Sequence, residues 1–154
     1  MAIKSITPFL WFDNQAGDAA QYYLSVFPDA RILNTSHYGK NMPMPEGTVM
    51  VAEMEIAGQR LTLLNAGPHY KLSPAFSLLV NCEDQAEIDR LWTALGDGGH
   101  YSQCGWLSDR FGLSWQVNYA GLPGLMTGGK GQKVMEAMMT MQKIDIQRLN
   151  DAAA

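Results

Sequence analysis

The same order of predicted elements occurs twice along this chain, and this repeat limits the folds that the chain can adopt. The patterns of the first half are a strand at 3–12, a helix at 16–27 and strands at 30–38, 48–57 and 60–65. The patterns of the second half are a strand at 75–82, a helix, a strand-like stretch through Cys104 and a strand at 113–119. The sequence therefore predicts an α+β fold of two β-α-β-β-β modules, about 3–66 and 75–120, in one domain.

Local signals place the first strand and the helix ends. Residues 3–12 are apolar on both alternations, which is typical of a strand covered on both faces, so we expect this strand at the centre of a sheet. Asn14 is predicted to cap the first helix and Pro28 to end it. Asp84 opens a capping-box-like start to the second helix. The apolar stripe of that helix consists of Ile88, Leu91, Trp92 and Leu95.

A C-terminal extension at about 131–151 follows the two modules, and its apolar residues recur at mostly helical intervals. One or two closing helices are expected there. Their apolar side chains cannot all be hidden by a helix lying on solvent, so they must cover the sheet or a second copy of the chain. These side chains are Val134, Met135, Met138, Met139, Ile144 and Leu149.

Charge and the N-terminal sequence exclude several classes of partner. The chain has 154 residues, with 15 acidic against 11 basic side chains and a net charge of −4, so no broad basic face is available to nucleic acid. The apolar N-terminal run is interrupted by polar residues and a proline, which fits neither a signal peptide nor a membrane span. We expect a cytoplasmic protein with no membrane and no nucleic-acid partner.

Cysteines, histidines and glycine runs give no cofactor motif. Cys82 and Cys104 are too few for a disulfide scaffold and lack zinc-ligand spacing, so free thiols are expected. The three histidines are far apart in sequence, which favours surface positions over a metal cluster. The glycine runs at 96–99 and 128–131 do not join a strand to a helix, so they are interpreted as linkers. The sequence predicts no cofactor.

Four segments carry a resemblance to a known family. They are Thr7-Pro8-Phe9-Leu10-Trp11-Phe12-Asp13, Val80-Asn81-Cys82-Glu83-Asp84-Gln85, residues 104–116 (CGWLSDRFGLSWQ) and Met141-Gln142-Lys143-Ile144-Asp145-Ile146. They resemble the PhnB-like family, also labelled 3-demethylubiquinone-9 3-methyltransferase, within the vicinal oxygen chelate superfamily. That superfamily includes glyoxalase I, extradiol dioxygenases such as dihydroxybiphenyl dioxygenase, and bleomycin and fosfomycin resistance proteins. The resemblance implies curved mixed sheets that enclose a cavity.

This chain lacks metal-binding residues at the positions where the superfamily has its metal ligands. The resemblance places Ile6, Thr62, Ala75 and Gln116 near the four ligand positions, and none of them is a histidine or a carboxylate. A hard divalent ion needs charged oxygen or imidazole donors to offset its dehydration. We therefore expect no metal site.

A polar line in the last strand is the candidate ligand site. Ser114, Gln116 and Asn118 alternate with apolar residues that should pack under the helices, and the resemblance places the polar line on the concave face with Thr62. Cys104 and Trp106 flank Gly105 near the end of a strand, an arrangement that would place a thiol and a flat aromatic ring at the rim of the same cavity. For Cys104 a packing role is favoured over a reactive thiolate, because the sequence places neither a cation nor a helix N-terminus clearly beside it. Trp106 is equally compatible with a core anchor and a substrate platform. Asp109 is expected to close its turn by accepting backbone amides.

Three functions follow from this combination. The first is a metal-independent protein that binds a small molecule, as a homodimer. The alternative is an enzyme of the glyoxalase or dioxygenase type that acts on a small oxygenated substrate through unusual metal ligands. The third is the methyltransferase on a ubiquinone precursor that the family label names, which the sequence disfavours because it offers no glycine-rich turn for S-adenosylmethionine.

Overall fold

The computed structural model describes residues 2–154 and divides the chain into two compact units, the first ending at Leu72 and the second spanning Ser73–Ala154. Each unit holds one open, four-stranded mixed sheet. The α+β class and the twofold repeat of the module are thereby confirmed. None of the helices in the described range is long and apolar enough to cross a membrane.

The first unit follows the predicted order. Its elements are β1 (Phe9–Phe12), α1 (Ala16–Val26), β2 (Arg31–His37), β3 (Val49–Ile56) and β4 (Gln59–Asn65). The sheet order is β1-β4-β3-β2, in which β1 is parallel to β4 and the other neighbours are antiparallel. The β3–β4 turn uses Ala57 and Gly58, both with positive φ, as a tight hairpin between twisted strands requires.

Two expectations for this unit are wrong. The first strand is shorter than residues 3–12 and lies at the edge of its sheet, and Ile6 and Phe9 are 90% and 60% exposed. Asn14 does not cap α1: the cap position is Gln15, and the side chain of Asn65 on β4 accepts the first helical N–H, that of Ala16, at 2.8 Å. The helix start is therefore fixed to the sheet by a tertiary hydrogen bond.

The second unit begins with the same plan and adds three helices. Its elements are β5 (Ser77–Cys82), α2 (Gln85–Gly96), β6 (His100–Tyr101), β7 (Trp106–Ser108), β8 (Ser114–Tyr119), α3 (Leu122–Met126), α4 (Gly131–Met138) and α5 (Ile146–Ala153). The sheet order is β5-β8-β7-β6, with β5 parallel to β8. The closing helices at 131–151 are α4 and α5, whereas the short α3 has no counterpart in the sequence prediction.

Helix α2 forms as its sequence predicts. The Asp84 carboxylate accepts the backbone N–H of Glu87 at 2.9 Å, and the predicted apolar stripe is buried. Trp92 stacks on Tyr101 of β6 with ring centroids 4.7 Å apart. Because Tyr101 pairs with Leu107, and Leu107 with Trp115, these three side chains mark the face of the sheet that α2 covers.

The connector between α4 and α5 anchors the extension. Gln85 at the start of α2 donates to the carbonyl of Ile144 at 2.9 Å and accepts the N–H of Ile146 at 2.8 Å. Lys143 forms an ion pair with Asp89 at 2.8 Å. Val134, Met141, Ile144 and Leu149 are buried, whereas Met135 and Met139 stay exposed. Of the six side chains expected to need cover, three, Val134, Ile144 and Leu149, are thus covered within the unit itself.

Candidate functional site: a groove on the second sheet

The polar line of β8 lies on the face of the second sheet turned away from α2. Neighbouring residues of a strand point to opposite faces, and Trp115 and Leu107 occupy the face under α2. One step along the strands, Ser108 pairs with Ser114 and Trp106 pairs with Gln116, so these four side chains share the other face. The alternation predicted for β8 is therefore the alternation that the structure has.

A groove of about 520 Å³ opens over part of this face. Its size lies in the range usual for small-molecule sites, roughly 300–1,000 Å³. The lining residues all belong to the second unit and are Pro74, His100, Tyr101, Ser102, Trp106, Leu107, Ser108 and Ser114. Trp106 and Ser114, two of the predicted site residues, are thus brought together.

The groove contains hydroxyl groups held on paired strands. Ser108 and Ser114 are directly opposite each other on antiparallel strands, an arrangement that sets Cβ atoms about 4.5–5.5 Å apart. Ser114 is only 2% exposed, yet no buried side-chain nitrogen or oxygen within residues 2–154 lacks a hydrogen-bond partner. Its hydroxyl has no partner in that range, so it must lie at the groove surface.

The remaining polar residues of β8 lie further along the strand. Gln116 donates from Nε2 to the Ser77 hydroxyl at 3.0 Å, and Asn118 accepts the N–H of Tyr119 at 2.8 Å. Neither lines the groove. Thr62 lies in the first unit on β4, buried, between Phe9 of β1 and Glu53 of β3. That Thr62, Gln116 and Asn118 take part in ligand binding stays a prediction.

The predicted strand does not extend through Cys104, because β6 ends at Tyr101 and Cys104 precedes β7 by two residues. Cys104 sits in the turn between β6 and β7 with φ of 58°, and Gly105 follows with φ of 84°. Their N–H groups donate to the carbonyls of Met141 and Gln142, each at 2.8 Å. A Cβ on Gly105 would stand 2.6 Å from the carbonyl oxygen of Val117, so only glycine fits there. The turn joins the sheet to the α4–α5 connector, and Cys104 is not part of the groove lining.

Asp109 closes the β7–β8 turn as predicted and has a further partner. Its Oδ1 accepts the backbone N–H groups of Phe111 at 2.9 Å and Leu113 at 3.1 Å. Its Oδ2 accepts the indole N–H of Trp115 at 2.8 Å. This carboxylate is 3% exposed and fully engaged, so it fixes the strand pairing that carries Ser108 and Ser114.

Cys82 is a structural thiol. Burial, reinforced by the negative charges of Glu87 and Asp84, raises the pKa of the Cys82 thiol from 9.0 to about 11. At neutral pH the group is protonated and a poor nucleophile. The glycine run at 96–99 is likewise used for packing, because a Cβ on Gly96 would overlap the Tyr101 ring and one on Gly99 the carbonyl oxygen of Ser108.

The side chains present do not fit the superfamily's metal. The four implied ligand positions are divided between the units, with Ile6 and Thr62 in the first and Ala75 and Gln116 in the second. They offer one hydroxyl, one neutral amide and two hydrocarbon groups. Across the described residues, no three His, Cys, Asp or Glu side chains come together in a way that could hold an ion.

Six of the eight lining residues were not predicted from sequence, and three of the six are polar residues next to Trp106 and Ser114 in the lining. His100, Ser102 and Ser108 join the groove because the very short strands β6 and β7 pair with each other and with β8. No alternation in the sequence points to His100 or Ser102, and Ser108 follows two apolar residues, Trp106 and Leu107.

Comparison with known proteins agrees with this architecture. A PhnB protein from Bacillus cereus matches with 33% identity and a TM-score of 0.71, covering 76% of this chain and all of that one. A protein from Pseudomonas aeruginosa matches with 24% identity and a TM-score of 0.63, over 76% of this chain and 98% of its own. The fosfomycin resistance protein FosX from Mesorhizobium loti is 12% identical over 79% of this chain and 94% of its own, with a TM-score of 0.52, and shares the fold alone. No protein with a curated description matches the chain.

The repeated module and these neighbours define the fold of the vicinal oxygen chelate proteins. Among these proteins, the sequence model of one family matches residues 4–118. The chain belongs to that family, the PhnB-like proteins described as 3-demethylubiquinone-9 3-methyltransferase.

Proposed function

We propose that this protein binds a small organic molecule in the groove of its second unit, without a metal ion. The observation that carries the proposal is the unpartnered Ser114 hydroxyl at the surface of a groove of about 520 Å³. A largely buried residue whose polar group has no protein partner is favoured when a ligand or water supplies the missing hydrogen bond. Six of the eight groove residues lie on paired strands, so little ordering is needed when a ligand binds.

Each part of the groove has a role in this proposal. Trp106, which is half-buried, supplies a flat apolar wall for a ring or an alkyl group. Ser108 and Ser114 supply hydroxyls that can both donate and accept. Asp109 and Trp115 hold the strands from the opposite side and do not contact the ligand.

Metal independence rests on the donor set at the implied ligand positions. The methyl transfer named in the family's description has no support in the glycine runs, since Gly96 and Gly99 pack against this chain's own side chains and backbone. We therefore favour ligand binding over both metal-dependent chemistry and methyl transfer.

The test is a fragment screen by ¹⁵N-edited NMR on protein whose metal content has been measured by elemental analysis. The proposal predicts fragments that shift the signals of Trp106, Ser108 and Ser114 in protein without stoichiometric metal. Ser114→Leu should remove these shifts by filling the groove, whereas Ser36→Leu, a half-buried strand serine outside the lining, should keep them. Failure to shift the groove signals, or about one tightly held metal per chain, would overturn the proposal.

A further inference from the structure

The groove is lined without a single formally charged side chain from residues 2–154. Its polar side-chain groups are the serine hydroxyls, the His100 imidazole and the Trp106 indole, since the Tyr101 ring lies on the other face of the sheet, stacked on Trp92. Arg110, a basic residue near in sequence, is engaged with Asp97 at 3.0 Å and is not part of the lining. A charged ligand entering this groove would lose hydration without gaining an opposite charge, which is costly.

The indole of Trp106 adds a directional donor. Its N–H has no hydrogen-bond partner among residues 2–154, in contrast to Trp11, which donates to the Gly67 carbonyl, and Trp115, which donates to Asp109. Because no buried side-chain nitrogen in that range lacks a partner, the Trp106 N–H reaches the surface. The residue therefore offers both a π face and a free donor in a half-buried position.

Given that the groove is the binding site, we infer that it selects an uncharged ring compound that carries a hydroxyl or carbonyl group. The ring lies against Trp106, and its oxygen is placed at the hydroxyl pair Ser108 and Ser114. The paired hydroxyls accept from a ligand hydroxyl or donate to a ligand carbonyl, so both oxygen groups satisfy the pair. Discrimination against anions and cations follows from the uncharged lining.

Two probes with the same ring test this inference. 1-Naphthol is uncharged near neutral pH and carries one hydroxyl, and naphthalene-1-sulfonate carries a permanent negative charge on the same ring. The readout is the indole N–H signal of Trp106 in ¹⁵N-edited NMR, identified among the four tryptophans by its loss in Trp106→Phe. We expect 1-naphthol to shift this signal and to bind at least about tenfold more tightly than the sulfonate.

A charge substitution supplies the second arm. Ser108→Lys places an ammonium in the groove and should raise the affinity for naphthalene-1-sulfonate by at least about tenfold. Ser36→Lys adds the same charge at a half-buried strand serine outside the lining and should leave both affinities unchanged. A gain in Ser36→Lys equal to that in Ser108→Lys would overturn the inference.

The outcomes separate this inference from the proposed function. Binding of the sulfonate in the groove as tightly as 1-naphthol, with the Trp106 signal shifted by both, would overturn the ligand class and leave the groove as a binding site. If neither probe shifted the Trp106 signal and no fragment of the screen shifted the groove signals, the ligand class and the proposed function would both be overturned.

Discussion

The indole N–H of Trp115 donates to Oδ2 of Asp109 at 2.8 Å in the interior of the second unit. The other oxygen of the same carboxylate holds two backbone N–H groups of the β7–β8 turn. One buried side chain thus connects the turn, the helix-covered face and the strand pair on which the groove is built.

Asp109→Ala should destabilise the protein by about 3 kcal/mol or more, because it leaves buried donors without an acceptor. Asp109→Asn keeps one carbonyl oxygen and should cost less. Urea denaturation measures both values. A loss below about 0.5 kcal/mol for Asp109→Ala would show that water or a rearranged turn replaces the carboxylate.

Neighbouring residues of β8 should respond oppositely to truncation. Trp115→Ala should cost about 3–5 kcal/mol, since burial is lost and a cavity is left. Gln116→Ala should cost less than about 1 kcal/mol, because among residues 2–154 its half-buried amide bonds only to Ser77 and water can replace that bond. If denaturation showed Gln116→Ala to be the more damaging change, the assignment of the two faces would be reversed.

The C-terminal extension should stabilise the second unit. Deleting the residues after Gly131 removes Val134, Ile144 and Leu149 from the core and should lower the melting temperature. Gln85→Ala, which removes two hydrogen bonds to the α4–α5 connector, should cost about 1–2 kcal/mol. Gln132→Ala, which removes only an exposed bond to Glu136, is the matched control and should be neutral. Equal melting temperatures for Gln85→Ala and Gln132→Ala would contradict this role.

The homodimer expected from the sequence stays a proposal. It is supported by two apolar side chains of the C-terminal extension that remain exposed, Met135 and Met139, the latter 65% exposed. A second copy of the chain could cover them. Sedimentation should give twice the chain mass for the full protein. A monomer at all concentrations would contradict the proposal.

The buried thiol of Cys82 predicts a pH dependence. Its folded-state pKa of about 11 lies above the ordinary 9.0, so its stabilising contribution is complete below about pH 9 and is lost as pH rises towards 11. In Cys104→Ser, where Cys82 is the remaining cysteine, iodoacetamide at mildly alkaline pH should label the unfolded chain and spare the folded one. Rapid labelling of the folded variant would place Cys82 at the surface.

The sequence predicted correctly those elements that are determined by residues within the same segment. The period of α2 and the Asp84 cap lie within one segment, and both are as predicted. The Asn14 cap is wrong because the acceptor for Ala16 comes from Asn65, 49 residues away on β4. The position of β1 is wrong because an apolar run does not reveal which elements cover it.

In the candidate site, too, residues placed by local alternation were predicted and residues placed by long-range pairing were not. The alternation of β8 assigned Ser114 to the polar face from residue spacing alone. The contributions of His100, Ser102 and Ser108 depend on the pairing of two short strands, which no local pattern specifies. The turn at Cys104 and Gly105 is set by contacts with Val117 and with the connector near Ile144, elements distant in sequence.

A crystal structure with a fragment from the screen bound tests the central claim most directly. The proposal predicts density in the groove, against the Trp106 ring and within hydrogen-bond distance of the Ser108 or Ser114 hydroxyl, with no metal peak beside it. Density for the fragment at another place on the chain, or a metal ion coordinated next to it, would contradict the claim that this groove is a metal-independent ligand site.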